Sequence, residues 1–503
     1  MEIVNSIVSW LTKKRIHSID LFRKFPHEVQ EEWFLKLIES GKKTEWGRKY
    51  GYADIKNYEQ YKKQVPIQDY ESLKKYILRV KQGEQNVLWS TPIKWFAKSS
   101  GTTNDKSKFI PVSKESLEDC HYKGGKDLLS IYYNRFPESK LFKGKCVVIG
   151  GSSEINQFSP NSYYGDLSSI IIRNLPFWVE FSRVPAIDLT LSPDWETKLD
   201  QIAREVYKEE VSNLSGVPSW NLVLLNKILE ITGKKNMLQV WPNFELYVHG
   251  GVSFKPYKEQ YKKLFPSDKI TYLETYNASE GFFGIQDDFS TDDMLLMLDY
   301  GIFYEFIPMD EIGKSNPKTL ALHEVEVNKN YAIVISTNAG LWRYTMGDTV
   351  EFTSTSPYKI RVTGRTKHFI NAFGEEVIID NAEKALQVAC QKTDAIVGEY
   401  TAAPIYMNDK GKGAHEWLIE FTKEPENIDY FTEIMDNALK SVNSDYEAKR
   451  YNDLALQKPT LTAVAPGTFY NWMKSRGRLG GQNKVPRLAN TREYIDSIKK
   501  MLE

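Results

Sequence analysis

Only three cysteines occur in 503 residues, Cys120, Cys146 and Cys390. They are odd in number and far apart, which argues against a disulfide framework and suits a reducing compartment, so they read as buried thiols of a cytoplasmic protein. No sign of charge prevails: 66 Lys plus Arg balance 66 Asp plus Glu. No global field therefore favours nucleic acid or an anionic membrane as a partner, and any phosphate site must be local. No apolar run approaches the roughly 20 residues of a membrane span. The opening "MEIVNSIVSWLTKKRI" puts its basic residues after its apolar ones, the reverse of a secretory signal, and reads as a first amphipathic helix. The seven histidines, His17, His27, His121, His249, His323, His368 and His415, never fall at ligand spacing with each other or with cysteine, which argues against a zinc site. Internal repeats and low-complexity segments are absent.

What is abundant is core material. Hydrophobic residues make up 41% of the chain, with 12 Trp, 29 Tyr and 24 Phe, most of which read as packing. The length exceeds what one core usually supports, so at least two domains are expected. "HEVQEEWFLKLIESG" has helical spacing and a terminal glycine stop. "SKESLEDCHYKGGKDLLSIYYNRF" continues in helix, and "GKCVVIGGSS" gives a buried strand between glycines. Two more helices, "SPDWETKLDQIAREVYKE" and "PSWNLVLLNKILEIT", lead into strands around "FELYVHGG", "KITYLETYNASEG", "GIFYEFIP" and "YAIVISTNAGLWRYT". After "KIRVTGRTKHFINAFGEEV" the pattern restarts with a helix, "DNAEKALQVACQ", and strands, "AIVGEYTAAP" and "EWLIEFT". The fold class is therefore α/β: a large N-terminal domain of layered sheets and helices over 1–363, and a smaller, mobile α+β cap over 364–503 with a hinge near 364–367.

Five stretches carry residue types suited to chemistry. "KSSGTTNDKSKFIPVS", residues 98–113, combines glycine, hydroxyls and lysines, the ingredients of a phosphate-holding loop, although it lacks the Gly-Lys-Ser/Thr ending of a P-loop and Ser/Thr/Gly clusters mostly make turns. In "YLETYNASEGFFG" an aromatic strand ends at Tyr276 and releases Asn277, Ala278, Ser279 and Glu280. A carboxylate there suits Mg²⁺, which takes one or two carboxylates plus substrate phosphates; a capped strand end is the alternative. "AGLWRYTMGDTVEF" places Gly347 and Asp348 at a strand-to-strand turn, where an Asp can accept ribose hydroxyls or simply make a hairpin. "VTGRTKHFINAFGEEV" carries Gly364, Arg365 and Lys367 at the domain junction, a hinge or a plain exposed hairpin. "GGQNKVPRLAN" offers Lys484 on a loop loosened by Gly480 and Gly481 and stiffened by Pro486, either delivered to a phosphate or only solvated.

The order of these motifs resembles the adenylate-forming superfamily. "SSGTTNDKSKFIP", "YNASEGFFG", "LWRYTMGD" and "NKVPR", with "WPNFELYVHGG" and "IFYEFIP", are more narrowly similar to the auxin-responsive acyl acid amido synthetases of plants and their bacterial relatives, from about residue 90 onward. The resemblance implies an enzyme that uses ATP and Mg²⁺ to join a small carboxylic acid to an amino acid through an acyl-adenylate. It implies that Ser99, Ser100, Gly101, Thr102 and Thr103 cradle phosphates with Lys108 nearby. It further implies that Tyr276, Asn277, Ala278 and Ser279 surround the adenine and α-phosphate, that Glu280 holds the metal, that Asp348 holds the ribose and that Arg365 meets the nucleotide. Lys484 would reach the α-phosphate and acyl oxygen during adenylation, making Lys484 and Lys108 the catalytic lysines. The acyl pocket is expected near "SYYGDLSSIIIRNLPFW" and "GGVSF", lined by Tyr163, Tyr164, Phe177, Val252 and Phe254, which are equally readable as core. The chain departs from the family pattern at Asn104 and Asp105, where glycine is common, and at Thr345, where plant members carry arginine, leaving Arg343 as the nearer basic residue. Two other readings stand beside the amide ligase: an adenylating ligase with a thiol acceptor such as coenzyme A, and a non-catalytic protein that binds a nucleotide or acyl metabolite.

Overall fold

In the computed structural model, residues 14–100, 107–149, 155–175, 182–186, 189, 195–251, 254, 257–366, 369–407, 412–453, 455–476 and 485–503 are described. The expected first helix is seen from residue 14 to 24; its part over 1–13 lies outside the described residues. The helix Pro26–Gly41 stops at Gly41, and the periodic stretch after Ser113 becomes a π-helical turn, Ser116–His121, running into the helix Tyr122–Arg135. No helix among the described residues is long and apolar enough to cross a membrane.

An eleven-stranded sheet organises the large domain. From one edge its strands are Ile302–Pro308, Asn330–Thr337, Tyr344–Thr355, Tyr358–Arg365, Met294–Leu296, Gly281–Ile285, Thr271–Ala278, Leu246–Gly250, Val211–Ser215, Lys145–Val148 and Arg183–Val184. The sheet changes character at Thr271–Ala278, which pairs antiparallel with Gly281–Ile285 and parallel with Leu246–Gly250. The strands beyond it, through Val211–Ser215 and Lys145–Val148, are all parallel. They are joined through helices such as Trp195–Val206 and Pro218–Thr232, as parallel pairing requires. In open sheets of this kind ligands bind outside the carboxyl ends of the parallel strands, here near Ser215, Gly250 and Ala278. Gly250 is one of the places where the sequence has no freedom: a Cβ there would sit 2.4 Å from the Thr275 carbonyl oxygen. A separate four-stranded sheet orders Ser107–Val112, Trp95–Ser100, Ser162–Gly165 and Asn156–Ser159.

The cap is built on the strands Ile396–Ile405, Ala414–Lys423 and Thr460–Val464, with helices on both faces. Alternation along Ala414–Lys423 divides its side chains as a period of two demands: Trp417, Ile419 and Phe421 enter one core and Leu418 another, which holds Phe469, Trp472, Ile495 and Ile498. The principal core of the large domain runs from Ile19 to Ile360. A second gathers Val147 to Ile270 together with cap residues from Ile370 to Leu488, so the cap is docked on the parallel half of the large domain. Trp46, Trp241, Trp342 and Trp417 are fully buried, in keeping with the reading of the aromatic excess as packing. The mixed α/β architecture, large domain first and smaller cap last, is the expected fold class.

Candidate active site

The hairpin Thr271–Ala278 to Gly281–Ile285 turns through only Ser279 and Glu280, with Ala278 paired to Gly281. Asn277 and Ala278 are thus strand residues and not the start of a loop as expected. Burial pushes the Glu280 carboxyl up from its usual range; the Lys108 ammonium pulls it down and the Asp348 carboxylate adds to the rise. Glu280 makes no ion pair among the described residues. Lys108 is itself 7% exposed, on Ser107–Val112, where it pairs with Ser99 of Trp95–Ser100.

Asp348 lies within the long strand Tyr344–Thr355 instead of at a turn, preceded by Gly347 at φ +91°. Gly347 lets the strand bend without the penalty an L side chain would meet at that φ. Register sets Asp348 opposite Arg365 of Tyr358–Arg365. The Arg365 Nε donates to Asp348 Oδ1 at 2.8 Å, and the Tyr276 hydroxyl donates to Asp348 Oδ2 at 2.7 Å. Arg365 also pairs with Glu376, so one polar chain runs from Tyr276 through Asp348 and Arg365 into the cap. Burial works against the charge of Arg365, but the charges of Asp348 and Glu280 overcome it. Burial, reinforced by Asp348, likewise lifts the Tyr276 phenol well above its usual value, so it remains a donor.

Tyr276, Glu280, Lys108, Asp348 and Arg365 therefore converge. A carboxylate has about four acceptor positions; Asp348 uses one for Arg365 and one for Tyr276, leaving positions for two donors such as a ribose diol. The donor set also fits a nucleotide-borne Mg²⁺: it offers one desolvated carboxylate, Glu280, and no cluster of three or more metal-ligating side chains occurs among the described residues. Mg²⁺ is usually held by one or two carboxylates and substrate phosphates. Gly101, Thr102, Thr103, Asn104, Asp105, Phe177, Val252, Lys367 and Lys484 lie outside the described residues, and of Ser100 only the backbone is described.

Arg343 is not the nearer basic residue at this site. It is 4% exposed, at φ +45°, and its guanidinium lies 2.7 Å from Glu305 while donating to the Val65 carbonyl at 2.6 Å and the Thr319 hydroxyl at 2.8 Å. A buried Arg so fully engaged locks the carboxyl end of the helix Tyr58–Gln64 to the sheet. Of the expected acyl lining, Phe254 is 7% exposed and stacks on His249 at 4.1 Å within a cluster of Tyr247, Tyr261 and Tyr272. Tyr163 and Tyr164 are adjacent on one strand and project to opposite faces: Tyr163 packs on Trp95 at 5.1 Å and Tyr164 on Phe109 at 5.2 Å, so the two do not line one pocket.

Sequence reasoning missed three supports. The Cys120 thiol accepts from the Phe282 N–H at 3.1 Å, anchoring the strand after Glu280. Glu375, fully buried, accepts from the N–H groups of Ala372 (3.2 Å) and Phe373 (2.6 Å) and meets His415 Nε2 at 2.8 Å. The Ala372 carbonyl in turn accepts from the Tyr257 hydroxyl at 2.6 Å, tying the junction to the large domain. Glu375 closes a local turn on Ala372 and Phe373, but its His415 partner and the other two contacts are remote in sequence and leave no local signal.

Residues 15–270 match the GH3 family N-terminal domain, 295–365 the GH3 family central domain and 380–493 the GH3 family C-terminal domain. The indole-3-acetic acid-amido synthetase GH3.3 of Arabidopsis thaliana is 24% identical over 93% of this chain and 91% of its own. The acyl acid amido synthetase AtGH3.15 in complex with 2,4-DB shares the fold with a TM-score of 0.64 at 17% identity, covering 97% of this chain and 96% of that one. A 2-hydroxyisobutyryl-CoA ligase in its thioesterification state does so with a TM-score of 0.59 at 11% identity, covering 95% and 92%.

Proposed function

The chain belongs to the GH3 family, and from that premise we propose that it is an ATP-dependent acyl acid amido synthetase. It adenylates a small carboxylic acid, releasing pyrophosphate, and passes the acyl group to the amine of an amino acid, releasing AMP. The observation that carries this reading is the convergence of Tyr276, Asp348 and Arg365 with Glu280 and Lys108 outside the carboxyl ends of the parallel strands.

Asp348, held by Tyr276 and Arg365, accepts the ribose hydroxyls with its two remaining positions. Arg365 stays charged beside it and offers donors to the nucleotide. Ser99 to Thr103 hold phosphates together with Lys108, and Tyr276 to Ser279 border the adenine and α-phosphate. Attack of a carboxylate on the α-phosphorus brings two anions together, so the cations are needed where negative charge grows. Lys108 lies on the hairpin beside the phosphates, and Lys484 comes from the cap to the α-phosphate and acyl oxygen. Glu280 would hold Mg²⁺, which when bound neutralises phosphate charge. The acid sits near Tyr163, Tyr164, Phe177, Val252 and Phe254, with only one of the two adjacent tyrosines facing it. The large domain is 1–363 and the cap 364–503. A hinge at 364–367 is supported by the break between a core ending at Ile360 and one resuming at Ile370.

The test is exchange of labelled pyrophosphate into ATP over a panel of carboxylic acids, followed by product analysis with amino acids and with coenzyme A. Acid-dependent exchange with amide products supports the reading. Thioester products and no amide would assign the thiol acceptor of the coenzyme A ligase neighbour, and no exchange with any acid would leave a binding protein.

A further inference from the structure

Lys449 sits at the end of the cap helix Ser444–Arg450, only partly buried, with its ammonium 4.2 Å from the centre of the Trp220 ring. Its ammonium makes no hydrogen bond and no ion pair among the described residues, whereas the guanidinium of its neighbour Arg450 is fully engaged with Asp436 and the Leu456 carbonyl. Its stem lies over the junction loop: a Cβ on Gly374, which has φ +89°, would stand 3.2 Å from the lysine Cε. Trp220 lies in the first turn of the helix Pro218–Thr232, which follows the parallel strand Val211–Ser215, and the neighbouring strand Leu246–Gly250 ends where the Gly251 carbonyl accepts from Asn371 of that loop. Lys449 thus projects from the cap at the carboxyl ends of the parallel strands, where open sheets hold ligands.

A cation left without a counter-charge in such a crevice is costly unless an anion arrives. Burial lowers the Lys449 ammonium from its usual value, and the charges of Asp445, Asp166 and Glu375 oppose this without cancelling it. The charges acting on Glu280, by contrast, are those of Lys108, Asp348 and Arg365, so Lys449 is not part of the triphosphate set. Asp166 follows the strand Ser162–Gly165 and contributes the opposite sign. An acceptor amino acid carries, in its α-carboxylate, the anion that such a cation would take.

We infer that Lys449 binds the α-carboxylate of the acceptor amino acid in the docked position of the cap. This rests on the amide-ligase reading. Amide formation itself needs no further reactant: the amine nitrogen bonds to the acyl carbon, the bond from that carbon to the AMP oxygen breaks, and the amine proton is released.

The test uses the full chain with Lys449→Gln and Lys449→Arg. Lys449→Gln should raise the KM for the amino acid roughly 10–100-fold, the scale of one charged hydrogen bond. Its pyrophosphate exchange and its hydroxamate formation with hydroxylamine, an acceptor without a carboxylate, should stay at the wild-type rate. Lys449→Arg should recover much of the loss. The wild type should also disfavour the methyl ester of its amino acid by a similar factor, and Lys449→Gln should lose that preference. An unchanged KM, equal loss with hydroxylamine, or a wild type indifferent to the ester would overturn the inference while leaving the ligase reading intact. A wild type that forms neither hydroxamate nor exchange would overturn both.

Discussion

Replacing Asp348 by alanine removes the group on which the Tyr276–Asp348–Arg365 chain turns, and the structure sets the size of two separate effects. In the free protein the Tyr276 hydroxyl loses its acceptor while Tyr276 remains 8% exposed, and Arg365 keeps the Glu376 carboxylate and the Phe369 ring as partners among the described residues. An orphaned buried donor costs about 1–3 kcal/mol, and loss of a charged hydrogen bond about 1.5–3 kcal/mol. Stability should fall by roughly 3–5 kcal/mol. In the complex the ribose loses a charged acceptor, worth about 1.5–3 kcal/mol, so the ATP dissociation constant should rise roughly 10–150-fold. Asp348→Asn separates the two, since an amide oxygen can still accept from Tyr276: its stability loss should be smaller but its loss of nucleotide affinity nearly as large. Calorimetric titration with ATP and Mg²⁺, alongside chemical unfolding of each variant, reads both quantities. A folded Asp348→Ala protein that binds ATP as tightly as the wild type would refute the reasoning and leave Asp348 a structural partner of Arg365.

Lys484→Ala should lower acyl-adenylate formation roughly 10²–10³-fold, the scale of losing one transition-state donor. It should barely affect ATP affinity or amide formation from supplied acyl-adenylate, and equal loss in both half-reactions would refute a role confined to adenylation. Glu305→Gln breaks the buried pair with Arg343 and should cost about 3–5 kcal/mol in chemical unfolding, without changing the KM for ATP in the surviving folded protein. Burial would raise the Glu375 carboxyl, but the bonds from His415 and the Phe373 N–H hold it below the usual 4.5. A depressed carboxyl contributes stability above about pH 4.5 that is lost as pH falls through its folded-state value. Glu375→Gln should therefore be less stable than wild type at pH 7, and the gap should narrow on acidification below pH 4.5; a gap independent of pH would contradict this.

Much of the layout was legible because burial imposes period on sequence. The helix ending at Gly41, the helix Pro218–Thr232 ending before Gly233 at φ +64°, and the strands Ile302–Pro308 and Ala414–Lys423 follow from spacing and stop signals alone. Composition correctly marked most aromatics as packing, as the four fully buried tryptophans illustrate. The site was legible only in part. Motif order pointed to Tyr276, Glu280, Asp348 and Arg365 as companions, and their convergence depends on a register no local pattern encodes: Asp348 faces Arg365 because a bulge follows Thr349. Gly-Asp read as a turn because turns favour that pair, whereas here a positive φ bends a continuous strand. Arg343 read as the nearer basic residue since a sequence does not display Glu305, its partner 38 positions away. Lys449 was invisible for a similar reason, its distinction being an ammonium that meets the Trp220 ring and no carboxylate at ion-pair distance among the described residues.

The most direct measurement follows oxygen. An acid that supports exchange is labelled with ¹⁸O in both carboxylate oxygens and turned over with ATP and an amino acid, and the products are weighed by mass spectrometry. Adenylation followed by aminolysis leaves one ¹⁸O in the amide and delivers the other to AMP, with pyrophosphate unlabelled. Label in inorganic phosphate beside ADP, or unlabelled AMP beside a product retaining both labelled oxygens, would contradict the acyl-adenylate route.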